Sequence, residues 1–587
     1  MLKHFYRFIF IFLFTFIYFF IYYFIFKSIF VNDYIIFPYA IHPFYISEKY
    51  PNIWEYIKIS SIISCILFAL IISNNIFSFY IKLSSKNDFH KKNTFFYDPN
   101  ILSLFIGKNQ NNEKVYIPEN GLYQNILITG GIGSGKTSSL LYPITEQLIK
   151  YKNHSSSSKL SFLILDVKGN YYKYVYDVCL KCNRLDDLII IGLNHNTRYN
   201  PLHKPHLKPQ ILANRLKTIL TLFSPNNPET YWLDKSEQVL SEAIKLCRLY
   251  NNNYVTFTEL HKIISSENYY KEKIEFLKKK FLNKELSIVE MQTLSTCIDF
   301  FENEFFNLDT RVLSILKSEI SRITGVFVSD PDISEIFCSD QESLSFHSFK
   351  EVLSQGKIVV LDMNISEYSI LSKILAAYLK LDFQSEILSQ LSHLNSDNIR
   401  TSCFLCDEYH EYVTSSDSSF FSQSREAKCI NIVATQSYTS LLNSINNPNS
   451  TKVIIQCLIN KFWFRTDDSF TIDEAQKQIG KIEKEHSSCT ISENAKSTNY
   501  NFLTNSFISQ DSSISESINT YTKKDFLFDY NFFTQKLKTF SCLGFISDGN
   551  KILKPTQINL IPYFYNNATL PNLYTNMKGF DFNENNT

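Results

Sequence analysis

A chain of 587 residues has room for about three or four domains. Its 58 basic and 57 acidic side chains leave a formal charge of +1, which argues against a protein that coats a polyanion over its whole surface. Any nucleic-acid contact must be local or made by the pore of an oligomer, and 12 scattered cysteines beside a nucleotide-binding signature suit a reducing cytosol.

Residues 8–26 carry no charge and consist almost wholly of Phe, Ile, Leu and Tyr, long enough to cross the hydrocarbon core as a helix. Residues 59–81 form a second uncharged run, weakened by Asn74 and Asn75. Pro38, Pro43 and Pro51 between them prevent one continuous helix. Lys3 and Arg7 precede the first run, and Lys82, Lys86, Lys91 and Lys92 follow the second, against Lys27, Lys49 and Lys58 between them. This asymmetry predicts a membrane anchor over 1–92, a two-helix hairpin with both ends in the cytoplasm. A cleaved signal peptide fits less well, because the first run exceeds an h-region and no small-residue cleavage site follows.

After a short polar connector, Asn125–Leu141 reads NILITGGIGSGKTSSLL: an apolar run, a glycine-rich turn and a helix-compatible segment. The spacing from Gly130 to Gly135, Lys136 and Thr137 is that of a phosphate-binding loop, in the strand-then-helix context that confirms it. Gly130, Gly131, Ile132, Gly133, Ser134, Gly135, Lys136, Thr137 and Ser138 are the predicted nucleotide-binding residues. Glycines let backbone N–H groups turn inward around phosphates, and the helix start adds its positive end. Lys136 would reach the terminal phosphates and Thr137 would ligate Mg2+.

Further apolar runs, at Phe162–Asp166 (FLILD) and Leu188–Ile191, read as strands of a parallel sheet covered on both faces. With YNPL at Tyr199–Leu202 they complete the first part of an ATPase domain, 93–207. Residues 208–345 change to helical spacing, as in ILANRLKTILTLF and RVLSILKSEISRI, and predict an all-α insertion. The sheet pattern resumes over 346–565 with Lys357–Leu361, a long helix over 370–383, and SCFLC at Ser402–Cys406, ending in Asp407 and Glu408.

A strand ending in adjacent acids beside a P-loop is the Walker B pattern. Asp407 would hold Mg2+ and Glu408 would polarise the attacking water. Asp166 is the rival strand-end acid, but it lacks a neighbouring carboxylate. CINIVA at Cys429–Ala434 leads to Thr435, Gln436 and Ser437, and Gln436 at a strand tip could sense the terminal phosphate. Arg425 and Arg465 compete to be the arginine that reaches a neighbour's phosphate. The pairs Cys179 with Cys182 and Cys403 with Cys406 have C-x-x-C spacing. In a strand the second pair points to opposite faces, and the first lacks a partner pair, so small buried side chains are the simpler reading. Residues 485–522, rich in Ser, Asn and Thr, predict a mobile or irregular excursion. Residues 540–546 predict a last strand, and 566–587 a frayed polar tail.

The hairpin, GGIGSGKT, LDVKG, YNPL, the helical insertion, CFLCDE, the VATQS strand end and FWFRTDD, in this order, together resemble the type IV secretion coupling proteins, membrane-anchored ATPases of conjugative DNA transfer. The resemblance implies an α/β RecA-like P-loop NTPase core with an inserted all-α domain behind a transmembrane hairpin. It also implies a hexameric ring below the bacterial inner membrane, with ATP and Mg2+ as cofactors and single-stranded DNA with an attached relaxase as cargo. Secretion-channel components would be further partners. By it Lys136, Thr137, Asp407, Glu408 and Gln436 match motif positions, and Arg425 matches a trans-acting arginine by location. A receptor that feeds effector proteins to the channel is the alternative, and a nucleotide-binding membrane scaffold a remoter one.

Overall fold

The computed structural model describes residues 101–223, 230–393, 399–493, 498–501, 506–509 and 514–565, with the isolated positions Phe16, Asn52, Tyr56, Ile59 and Ile63. The predicted hairpin therefore lies outside the described residues, except that Phe16, Ile59 and Ile63 are helical; the tail 566–587 lies outside them too. Among the described residues no helix is long and apolar enough to cross a membrane. Met1–Phe96 and Tyr97–Thr587 are two separate units.

The frame of the second unit is an eleven-stranded sheet in the order β2-β1-β15-β14-β9-β3-β8-β7-β4-β6-β5. The strands from β9 to β5 run parallel: β3 (Ile126–Thr129), β4 (Ser161–Leu165), β5 (Leu188–Ile191), β6 (Ile358–Leu361), β7 (Ser402–Cys406), β8 (Cys429–Thr435) and β9 (Asn460–Trp463). Each is short, and all but β9, which carries Asn460 and Lys461, are mainly apolar because helices cover both faces. Successive residues alternate between two cores: Leu163, Leu165, Phe404 and Cys406 face one, and Phe162, Ile164, Cys403 and Leu405 the other. Cys403 and Cys406 thus point to opposite sides of the sheet, as the strand reading required. No metal-ligand cluster occurs among the described residues.

Between β5 and β6 every described element is helical. The insertion begins with α3 (Pro209–Phe223). Its later helices start on polar caps: Thr256 accepts from Glu259 N–H, and Ser287 forms a reciprocal capping box with Glu290. Leu216, Phe257 and Phe327 join the same core as Leu165 and Phe404, so the insertion is packed onto one face of the sheet.

The structure differs from the expectation in three places. An antiparallel wing, β1 (Ser103–Asn109), β2 (Lys114–Pro118), β14 (Ser541–Phe545) and β15 (Thr556–Asn559), extends the sheet beyond β9. Three of these strands fall where the sequence predicts a polar connector or no element. The stretch predicted as irregular contains a ribbon of β10 (Lys481–Glu493) and β13 (Ile514–Phe526), paired from Lys481↔Phe526 to Glu493↔Ile514. A smaller pair, β11 (Thr498–Asn501) and β12 (Ser506–Ser509), lies within it. The crossover helix after β6 runs over Ile365–Ser389, longer than predicted, with a kink at Ser369 (φ 36°).

Candidate nucleotide-binding and catalytic site

β3 ends at Thr129, and the chain turns through a loop that only glycine could close. Gly133 and Gly135 have φ of +73° and +95°, a region L side chains rarely adopt. A Cβ on Gly130 would stand 2.4 Å from that of Phe464. Gly131 N–H donates to the Arg465 carbonyl at 2.8 Å, and the Ser134 hydroxyl to the Gly131 carbonyl at 2.8 Å, which fastens the loop to the end of β9. Ile132 stands exposed at the apex. The loop runs into one π turn, Thr137–Leu141, and then α1 (Tyr142–Lys150).

Lys136 is buried, and its ammonium donates to the Gly130 carbonyl at 2.6 Å. Burial lowers its pKa, against the raising charges of Glu408 and Asp407. The loop's own oxygen therefore holds the charge that a phosphate oxygen would take over. The Ser138 hydroxyl turns back to the Gly135 carbonyl at 3.4 Å.

Parallel pairing of β3 with β8, and of β8 with β7, brings the tips of all three strands together. Thr137 Oγ1 donates to Asp407 Oδ2 at 2.8 Å. Asp407 is buried, and desolvation first, then the charges of Glu408 and Asp166, push its pKa up to about 6, against Thr137 and Lys136. A buried carboxylate that holds a proton this readily, next to a hydroxyl and a second carboxylate, is a donor set suited to a hard cation such as Mg2+. Glu408 sits in the left-handed region (φ 50°, ψ 48°), and its N–H donates to Asp407 Oδ1 at 3.0 Å. Its Oε2 is buried without a hydrogen-bond partner among the described residues. Backbone strain and a buried carboxylate oxygen without a hydrogen bond meet in one residue, a combination that clusters at functional sites.

Asp166, the rival acid, has other work. Its carboxylate accepts the Asn170 and Tyr171 N–H groups at 3.1 and 3.2 Å, at the start of α2 (Tyr171–Lys181). Gln436 is half-buried just beyond β8, between the tips of β3 and β7. His410 escaped the sequence reading, because a lone histidine after an acid pair carries no motif. Its Nδ1 lies 3.3 Å from Thr435 Oγ1 and 3.7 Å from Glu408 Oε2, between Glu408 and the β8 tip. Burial lowers its pKa, while Glu408 and Glu411 oppose.

The two arginines part company. Arg465 is exposed just after β9, beside the P-loop that its carbonyl anchors. Arg425 is exposed ahead of the first residue of β8, at the N-terminal ends of the parallel strands, opposite the ends that carry the P-loop. Within one subunit the structure therefore gathers Gly130 to Ser138, Asp407, Glu408 and Gln436, and leaves Arg425 apart.

The raised Asp407 value has a readable consequence. Mg2+-dependent turnover should fall as pH drops through about 6, because a protonated carboxyl holds the cation poorly. In metal-free protein the folded state keeps a proton that the unfolded state releases, so stability falls as pH rises from about 4 toward about 6. Saturating Mg2+ should remove that dependence, and a flat rate profile between about pH 5 and 7 at subsaturating Mg2+ would contradict the assignment.

Residues 82–337 match the family model described as Type IV secretory system Conjugative DNA transfer. No protein of curated function matches the chain. Among solved structures, the bacterial conjugative coupling protein TrwBdeltaN70 in its unbound monoclinic form is 13% identical, with a TM-score of 0.50 over 76% of this chain and 87% of that one. The plasmid coupling protein TrwB in complex with ADP and Mg2+ is 12% identical with a TM-score of 0.49, over 76% and 87% of the two chains. VirB4 of Thermoanaerobacter pseudethanolicus is 13% identical with a TM-score of 0.44, over 79% and 97%. At such identities the first likeness speaks for the fold alone, a mixed α/β core built on a large parallel sheet. The family match carries the likeness further: over residues 82–337 the chain is similar to the proteins of type IV secretory conjugative DNA transfer.

Proposed function

We propose that this chain is the ATP-driven coupling protein of a type IV secretion channel. It is anchored in a bacterial inner membrane by the hairpin over 8–26 and 59–81, with its ATPase unit in the cytoplasm. It assembles as a homo-hexamer that recruits single-stranded DNA with its relaxase and pumps the strand toward the channel components. The observation that supports this best is the 2.8 Å bond between Thr137 of the P-loop and Asp407, next to Glu408, whose Oε2 is buried without a hydrogen bond among the described residues.

ATP with Mg2+ supplies the transferable phosphoryl group and the cation that neutralises its charge. Lys136 leaves the Gly130 carbonyl for the terminal phosphates, and Thr137 and Asp407 hold the cation. Glu408 takes the proton of the attacking water, and Gln436 reads the presence of the terminal phosphate from the β8 tip. An arginine of the adjacent subunit, Arg425 or Arg465, completes the charge balance, and its release after hydrolysis moves the loops that grip the strand.

Loops that grip a phosphate backbone bind with strong salt dependence and little sequence preference. The full chain in detergent should bind unrelated oligonucleotides of equal length within a few-fold of one another. Affinity should drop on the order of 10-fold or more between 50 and 200 mM salt, roughly as multiple phosphate contacts require. Absence of DNA binding at low salt would turn the reading toward protein cargo.

A further inference from the structure

One residue stands out on the side of the P-loop away from the acids. Phe540, the residue before β14, is half-buried and has φ of +62°, a conformation that a bulky side chain rarely keeps without cause. Its N–H donates to the Ser134 carbonyl at 3.3 Å, and its own carbonyl accepts from Leu560 N–H at 2.8 Å. The ring is thereby held against the loop, and a Cβ on Gly135 would come within 2.6 Å of it. Beside it stands Phe564, 55% exposed, with ring centroids 5.9 Å apart at 71°. Tyr563 next to it packs edge-on against Tyr142 at the start of α1, at 4.9 Å, which ties this aromatic group to the P-loop helix.

The strand order gives this group a direction. Thr137 with Asp407 places the cation, and so the terminal phosphates, on the side of β3 that faces β8 and β7. A nucleotide laid along the loop then leaves it on the opposite side, toward β9 and β14, where Phe540 stands. That side offers ring faces, and an aromatic face attracts a nucleobase by stacking.

We propose that Phe540, with Phe564 at its rim, is the nucleobase shelf of this site. The proposal rests on the ATPase reading and deepens it. Stacking is blind to base identity because every base has a π face, so the shelf accepts adenine and guanine alike.

Titration calorimetry on the detergent-solubilised full chain tests this with ADP, GDP and inorganic tripolyphosphate. Phe540→Ala should weaken ADP and GDP on the order of 10-fold and leave tripolyphosphate unchanged. Phe540→Tyr should restore both nucleotides. Phe564→Ala, at an exposed position where folding is not at stake, should weaken the nucleotides by a smaller factor, again sparing tripolyphosphate. Equal losses for nucleotide and tripolyphosphate would show that Phe540 merely props the loop and would overturn the shelf alone. A wild-type chain that binds neither would overturn the ATPase reading, and the shelf with it.

Discussion

Glu408→Gln should abolish ATP turnover while leaving ATP bound, and Lys136→Ala should remove both. The two variants separate the groups by what each does in the structure. Glu408 hydrogen-bonds only through its backbone among the described residues, its Oε2 is unpaired, and its N–H is tied to Asp407 Oδ1. Neutralising that carboxylate costs a general base, on the order of 10²- to 10⁴-fold in kcat, and leaves the loop intact. Lys136 is buried with its charge on the Gly130 carbonyl, so its loss strips the phosphates of their one fixed positive charge from the loop. Steady-state phosphate release and equilibrium nucleotide binding on the same preparations distinguish the cases. Glu408→Gln with wild-type turnover would move the base to another carboxylate, and Asp166, already committed to two N–H groups, is poorly placed to take over.

Lys380→Met should destabilise the ATPase unit by about 3–5 kcal/mol, because removing one partner of a buried pair strands the other. Lys380 and Asp417 are both fully buried, 2.7 Å apart. The ammonium also donates to the Tyr412 carbonyl at 2.6 Å and to Thr414 Oγ1 at 2.9 Å. Desolvation lowers the Lys380 pKa and Asp417 opposes it. Replacing both charges, Lys380→Met with Asp417→Leu, should recover only part of the loss: the stranded charge is gone, but Asp417 also accepts from the Tyr409 hydroxyl, Thr414 N–H and Gln384 Nε2, and leucine leaves those buried donors unpaired. Thermal unfolding of wild type, single and double variants checks this, and a double variant as unstable as the single would refute it.

The same helix, Ile365–Ser389, makes this pair more than a stability device. Two residues on, Asp382 meets Lys204 at 2.9 Å and Arg215 of the insertion at 2.8 Å. Lys373, earlier in the helix, reaches Glu411 at 2.6 Å. The segment after Glu408 is thus stapled to a helix whose other staple holds the all-α insertion. Single-site loss at Lys380 should lower kcat as well as stability, because it frees the segment that positions the general base.

Burial and spacing decide which elements are legible in the sequence. β4 to β8 are flanked by helices on both faces, so their apolar runs announce them, and SCFLC and LIII mark two of them to the residue. The P-loop is legible because its glycines answer to backbone geometry, with Gly133 and Gly135 at positive φ. Asp407 and Asp166 are told apart by the residues just beyond each strand: a second acid in one case, a helix start that consumes the carboxylate in the other.

The rest has no local signature. The strands β1, β2 and β15 are short and sit outside the parallel block, where pairing across more than 400 residues, as between Lys108 and Asn559, leaves nothing to see nearby. The ribbon of β10 and β13 lacks an apolar period, because its pairing is held by backbone bonds and its side chains are mainly Ser, Thr, Lys and Glu. Such a polar composition reads as irregular chain, because a ribbon without a buried face specifies its register only weakly. His410 and Phe540 owe their places to contacts with Thr435 and Gly135 that only the fold creates.

Whether this site drives movement of DNA is tested most directly by ATP hydrolysis of the full chain in detergent or lipid, with and without single-stranded DNA, beside Glu408→Gln. The expected result is turnover that rises several-fold with DNA of any sequence and vanishes in the variant. Authentic turnover, lost in Glu408→Gln but indifferent to DNA at every salt concentration, would contradict it.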